Sequence, residues 1–227
     1  MGGLSDHHAG GAQPDRPARS AARASIGRAP ERDPHSGEHR THLIFGYASL
    51  VLDGAGRGVP ARLPGYRRVW GVATDNVHSI PGYKMYLRRP EGTRPAVYVA
   101  FVDLEPHDGS VVNGLVRPVS AGELEDLDRR ERNYDRVEVT GQIEGFHERV
   151  FTYLGSAAGR ERLRRGRVEG RAVVSRDYLA KVLAGFDRLG VDERRAFDDS
   201  SLLGGLPVLD LERVDLPGDP PRLESGV

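Results

Sequence analysis

The stretch THLIFGYASLVLDG, residues 41–54, joins two apolar runs through Gly46-Tyr47-Ala48-Ser49. Leu43-Ile44-Phe45 reads as a short buried strand, yet core packing alone does not ask it to end in a glycine, a phenol and two small side chains. A strand that stops there and turns sharply offers backbone N–H groups with little side chain over them. Such a loop can hold a carboxylate or a developing oxyanion without a charged side chain. The same four residues also suit an ordinary tight turn, so the rest of the chain has to choose.

Outward from this stretch, short apolar runs alternate with turn residues. They predict strands over 42–47, 66–73, 83–88, 96–104, 113–119, 135–143 and 148–154. AVYVAFVDL (96–104) is apolar on both alternations, as a central strand covered on two faces would be. DRVEVTGQI (135–143) alternates, with Val137 and Val139 on one face, as an edge or half-exposed strand would. Two helices are marked by their caps. VSAGELEDLDRRERNY (119–134) carries Ser120 and, three residues on, Glu123, a capping box. SRDYLAKVLAGFDRLG (175–190) has Ser175 as cap, Leu179, Val182, Leu183, Phe186 and Leu189 at helical spacing, and Gly190 as a stop. Strands with two helices placed late predict an α+β fold: a curved or barrel-like mixed sheet with flanking helices.

The ends differ from the middle. Residues 1–40 hold few large apolar side chains among many Gly, Pro, Arg and Ser, and are expected to be disordered. His7 and His8 read as solvated tail residues, and the Arg-rich start bears a weak likeness to a transit peptide. One domain is expected over 41–203, followed by a Pro/Gly-rich arm and tail over 204–227 in which Val208, Leu209 and Leu211 pack back onto the domain.

Composition narrows the functional classes. The 227 residues carry 33 basic and 33 acidic side chains, so no global field favours nucleic acid or an anionic membrane, and a small-molecule partner is expected. The absence of cysteine removes disulfides, thiolate metal sites and a cysteine nucleophile. No apolar run approaches the roughly 20 residues of a membrane span, and the start lacks an apolar signal core, which leads to the expectation of a cytoplasmic protein. Lys84 and Lys181 are the only lysines, a skew that composition alone attributes to GC-rich coding.

The capped helix contains an anomaly. At about 100° per residue, Leu124, Leu127 and Glu131 share one face, so Glu131 points where the leucines point. Either the helix frays after Arg130 and Glu131 meets water or a neighbouring arginine, or the carboxylate stands at the edge of an apolar cavity, where desolvation suits it to carrying protons. Arg67 and Arg68 alternate faces on a strand, so at most one looks inward.

These segments resemble the gamma-glutamylcyclotransferase family. FGYASLV is similar to the family's YGSL strand-loop signature, with Ala48 in place of the usual second glycine. LDRRERNYDRVEV resembles its Leu-Asp-x-x-Glu segment, and LPGYRRVWGVATDNVHSIPGYKMYLRR and SRDYLAKVLAGFDRLGV are similar to its ChaC-like branch. The resemblance spans about residues 42–195 and implies a cofactor-independent reaction without a metal. The α-amine of a γ-glutamyl group attacks its own γ-carbonyl, closing 5-oxoproline and releasing an amine. It implies Glu131 as the catalytic proton carrier, and Tyr47, Ala48, Ser49, Leu50, Asp75 and Tyr178 as substrate-binding residues. Candidate substrates are glutathione, a γ-glutamyl amide or a γ-glutamylated biosynthetic intermediate. Ala48 fits the loop only at negative φ, and Tyr134 is expected to close the helix and pack at the next strand. Two other readings stand beside this one: a hydrolase using Asp75 and His78, which lacks a G-x-S-x-G nucleophile turn, and a non-catalytic binder of a small acid.

Overall fold

The computed structural model describes residues 42–78, 80 and 82–217, so the expectations for residues 1–40 and the last ten residues lie outside it. The elements in chain order are β1 His42–Gly46, α1 Ser49–Gly54, β2 Val59–Asp75, β3 Lys84–Arg88, β4 Tyr98–Val119, α2 Ala121–Arg130, β5 Tyr134–Glu138, β6 Val150–Gly155, α3 Ala157–Val168, β7 Ala172–Ser175, α4 Arg176–Leu189, α5 Val191–Asp199, β8 Ser201–Leu202, β9 Val208–Leu209 and β10 Leu211–Asp215. Eight strands make one mixed sheet in the order β5-β6-β1-β4-β2-β8, with β7 also on β4 and β9 on β7; β3 and β10 form a separate pair. The fold is α+β, a large mixed sheet with flanking helices. Among the described residues no helix is long and apolar enough to cross a membrane.

The spine is the antiparallel ladder of β2 and β4, which runs from Val59 opposite Val116 to Asp75 opposite Tyr98. The two strands expected at 96–104 and 113–119 are therefore one. His107-Asp108-Gly109-Ser110 looks like a turn in sequence, but here it is a bulge between paired Pro106 and Val111. The register jumps from Pro64 opposite Val111 to Tyr66 opposite Pro106. Gly109, at φ 78°, lets the chain detour without leaving the ladder. The strand expected over 135–143 stops at Glu138, and the chain turns at Val139 (Gln142 N–H to Val139 O, 3.1 Å) before Gly141 at φ 77°.

α2 has its capping box, with Ser120 Oγ accepting from Glu123 N–H and the Glu123 carboxylate accepting from Ser120 N–H. Ser175 precedes α4 as expected but does not cap it by its side chain; its hydroxyl donates instead to Leu211 O at 3.2 Å and ties the C-terminal arm to the helix start. Three helices, α1, α3 and α5, were not expected. In AAGRERLRRGRV the apolar stripe is nearly absent, because α3 approaches the sheet through glycines. A Cβ on Gly159 would stand 2.6 Å from Asn133 O, and one on Gly166 would stand 2.7 Å from the Tyr98 side chain. The arm also belongs to the domain: β9 pairs with β7, β10 pairs with β3 over its whole length, and Leu211 is fully buried.

Of the two adjacent arginines, Arg68 looks inward. It is fully buried, its guanidinium lies 4.9 Å from the ring centroids of both Phe186 and Phe197, and it donates to Tyr47 O (2.7 Å), Ser200 Oγ (2.6 Å) and Asn113. Burial pulls its pKa down, yet an arginine keeps its charge near neutral pH. Arg67 pairs with Glu105 at a partly exposed position. Arg68 thus fixes the carbonyl of Tyr47, the residue at which the opening stretch turns.

Candidate active site

The turn after β1 is tight enough to explain its glycine. A Cβ on Gly46 would meet that of Leu50 at 2.8 Å, because the chain doubles back at once into α1. Ala48 sits at φ −142°, so alanine is accommodated on the negative side. The Tyr47 ring goes into the core, with its hydroxyl donating to Tyr153 O at 2.6 Å. From outside, α4 presses on α1 through Gly185, where a Cβ would stand 2.9 Å from Leu52 N.

α2 ends one residue before Glu131, which caps it with its own N–H on Leu127 O at 2.8 Å. Glu131 O then accepts from Tyr134 N–H, closing a turn whose middle, Asn133, is buried and bonded to Thr74, Arg162 and Ser156. The Glu131 side chain, 17% exposed, pairs with Arg130 at 2.9 Å and also lines a cavity.

That cavity has two chambers. The one against the β1–α1 turn, here termed the inner chamber, is about 30 Å³ and is lined by Tyr47, Ala48, Ser49 and Leu50 together with Glu131, Tyr134 and Tyr178. The one bounded by β3 and β10, here termed the outer chamber, is about 170 Å³, shares Ser49, Glu131, Tyr134 and Tyr178 with the first, and adds Lys84, Tyr86, Asp177, Lys181 and Arg213 among others. Of the site residues expected from the sequence, Glu131, Tyr47, Ala48, Ser49, Leu50 and Tyr178 come together here. Asp75 does not. It bonds Val77 N–H and His78 Nδ1, both at 2.9 Å, and lines a neighbouring concavity with Arg132, Arg162 and Arg165. His78 accompanies it, so the carboxylate and imidazole of the hydrolase reading stand away from Ser49, and the described lining of their concavity has no serine.

Two phenols meet at one backbone residue. Tyr134 OH donates to Val102 O at 2.7 Å, while Tyr178 OH accepts from Val102 N–H at 3.2 Å. A carbonyl can only accept and an amide can only donate, so the two hydroxyls are left with opposite capacities. Tyr134 offers lone pairs; Tyr178 has its proton to give. Burial, with the Glu131 charge adding to it, raises the pKa of both, so they remain neutral phenols.

The sequence did not point to Tyr134 as a site residue, nor to Lys84, Arg130 or Lys181. Asp53 of α1 binds Lys181 at 2.9 Å and Arg130 at 3.1 Å, tying α4 and the end of α2 across the cavity. Burial works against the Asp53 charge, but these two cations hold its pKa below the usual carboxylate value. Lys84 projects over the Phe101 ring, 4.2 Å from its centroid, and burial pulls its ammonium down to about 8 against the opposing pull of Glu131. A signal was present: six of the eight tyrosines and both lysines of the chain line these two chambers.

Solved structures similar to the chain include one described as a gamma-glutamyl cyclotransferase (14% identity, 80% of this chain and 91% of that one, TM-score 0.44). Another is the human uncharacterized protein loc79017 (16% identity, 73% and 93%, TM-score 0.46). A third is a yeast gamma-glutamyl cyclotransferase described as specific to glutathione (11% identity, 71% and 97%, TM-score 0.39). No curated protein sequence matches the chain. The profile of the family described as gamma-glutamyl cyclotransferase, AIG2-like, matches residues 50–180, more than half of the sequence and the part that supplies Glu131, Tyr134 and Tyr178. The chain belongs to the gamma-glutamyl cyclotransferase, AIG2-like family.

Proposed function

We propose that the protein is a γ-glutamyl cyclotransferase, acting in the cytoplasm on a small γ-glutamyl compound. The observation that carries this reading is the position of Glu131: a carboxylate common to both chambers, flanked by one phenol that can only accept at the substrate and one that is free to donate. The reaction needs those groups. The α-ammonium of the substrate must lose a proton, and the nitrogen that leaves must gain one.

In this reading the γ-glutamyl group occupies the inner chamber. Its α-ammonium lies against Tyr134 Oη and Glu131, and its γ-carbonyl lies toward Tyr178 Oη and the N–H groups of the Tyr47–Leu50 turn, whose first helical donors lack intrahelical partners. Glu131 takes the proton from the α-ammonium. The freed amine attacks the γ-carbon, a C–N bond forms, and the carbonyl oxygen becomes an oxyanion held by the donors. As the intermediate collapses, the cyclised nitrogen gives up its second proton and the original amide C–N bond breaks; both protons shed by the α-nitrogen pass through Glu131 to the departing nitrogen, which leaves as an ammonium. 5-Oxoproline and a free amine result, with no water consumed. Because attack is intramolecular, holding the chain folded supplies much of the rate.

The ChaC-like likeness of the sequence makes glutathione the first substrate to try, with 5-oxoproline and Cys-Gly as products. The test is to incubate the protein with glutathione, γ-glutamyl amino acids and γ-glutamyl amines and follow 5-oxoproline by mass spectrometry. Formation of 5-oxoproline with stoichiometric release of the amine is expected from at least one. Formation of glutamate instead would mean hydrolysis and would overturn the reading.

A further inference from the structure

The two chambers differ in how their charges are matched. Around the outer chamber, Lys181 and Arg130 share Asp53, Arg130 also holds Glu131, and Arg213 is bonded to Asp215 at 2.6 Å. Lys84 is different. Among the described residues no carboxylate lies within ion-pair distance of its ammonium, which rests between the rings of Phe101 (4.2 Å) and Tyr83 (5.2 Å). Withdrawing an ammonium from water without an anion is unfavourable, and contact with aromatic faces offsets only part of the cost. The position suits a cation that awaits an anion.

Its place says which anion. Lys84 lines the outer chamber only, whereas Tyr47, Ala48 and Leu50 line the inner chamber only, and Glu131 stands between. If the γ-glutamyl group is folded at the inner side, Lys84 faces the part of the substrate that departs. The wall that carries Lys84 is the pair β3–β10, in which Asp215 stands opposite Lys84 and Arg213 opposite Tyr86. β10 lies beyond residues 50–180, so this wall is completed by chain outside the span that matches the family. Arginine supplies nearly all the positive charge elsewhere, and yet both lysines of the sequence face this one cavity.

We propose that Lys84 binds a carboxylate carried by the leaving amine, so that the protein selects γ-glutamyl conjugates of amino acids and short peptides over γ-glutamyl conjugates of uncharged or cationic amines. This inference rests on the cyclotransferase reading for the direction in which the substrate lies, and its test is a binding measurement that does not require turnover. Calorimetry on Glu131→Gln, in which turnover is blocked, compares γ-glutamylalanine with γ-glutamylethylamine, which differ by the one carboxylate. At least tenfold tighter binding of γ-glutamylalanine is expected. Adding Lys84→Gln should bring the two ligands to within twofold of each other, and Lys84→Arg, which keeps the charge, should preserve the preference.

Equal binding of the two ligands with Lys84 intact, or no binding of either, would overturn the inference, as would a preference that survives Lys84→Gln. An equal loss for both ligands in Lys84→Gln would place the glutamyl α-carboxylate, rather than the leaving amine, at Lys84 and would overturn it too. If Lys84→Gln does not fold, the Lys84→Arg comparison and the two-ligand ratio still decide. A preserved binding preference in a wild-type protein that forms no 5-oxoproline would refute the cyclotransferase reading while supporting recognition of the carboxylate.

Discussion

The two walls of the cavity are built on different rules. On the wall made by the β1–α1 turn, the end of α2 and the start of α4, the polar groups are tied into backbone. Tyr134 and Tyr178 are fixed on Val102, Tyr47 on Tyr153, and the carbonyl of Tyr47 on Arg68. On the β3–β10 wall the ammonium of Lys84 touches aromatic faces and has no anionic partner among the described residues. The difference teaches where chemistry and choice reside. Reacting groups need fixed donors and acceptors, whereas a selecting group needs an unmet valence for the right ligand to fill.

The comparison breaks most visibly if the first wall loses its anchor. Arg68→Ala should destabilise the fold by about 3–5 kcal/mol, because a buried side chain and its bonds to Tyr47, Asn113 and Ser200 disappear together. Chemical denaturation measures this, and a loss under 1 kcal/mol would mean that the turn is held by other contacts. Next in size are the phenols. Tyr134→Phe and Tyr178→Phe should each lower kcat/KM about 10–100-fold, equivalent to roughly 1.4–2.8 kcal/mol. Tyr134→Phe should also reduce stability by about 1–3 kcal/mol by leaving Val102 O without its donor. Kinetics with matched melting curves separates the two effects.

The second wall is sharpened by pH. Lys84 has a pKa lowered to about 8 by burial, with Glu131 opposing and Arg213, Arg130 and Asp215 acting on it from β10 and the end of α2. It is charged below about pH 8 and neutral above, so the preference for a carboxylate-bearing conjugate should be full near pH 7 and fade as pH rises past 8. The same titration also acts on stability. A lysine whose pKa is lower folded than unfolded penalises the fold most below its folded value, and the penalty is relieved between about pH 8 and 10.5. Lys84→Met should therefore stabilise the protein at pH 7 by about 2 kcal/mol, with the gain shrinking toward pH 10.5. A destabilised Lys84→Met at pH 7 would show that the ammonium has a partner after all.

What was legible in the sequence follows the same division. The β1 turn, the capping box of α2 and the face shared by Leu124, Leu127 and Glu131 are local patterns, and local patterns set by backbone hydrogen bonding can be read along the chain. Gly46 could be read because doubling back leaves no room for a side chain. α3 could not, since it packs through Gly159 and Gly166 rather than through an apolar stripe. The outer chamber was equally hidden: β3 and β10 are separated by more than a hundred residues, and nothing near Lys84 in sequence says that Arg213 and Asp177 will share its cavity. Asp75 shows the opposite case. It closes β2 at the edge of the loop that the family likeness implies, and its carboxylate is taken up by Val77 N–H and His78 in a concavity other than the two chambers.

The most direct test of the account is the initial rate of 5-oxoproline release from a γ-glutamyl amino acid by wild type and by Glu131→Gln, both checked for intact folding. Loss of about 10²–10⁴-fold in kcat, with substrate still bound, is the result predicted for a group that moves protons in both halves of the reaction. A Glu131→Gln protein as active as wild type would contradict it.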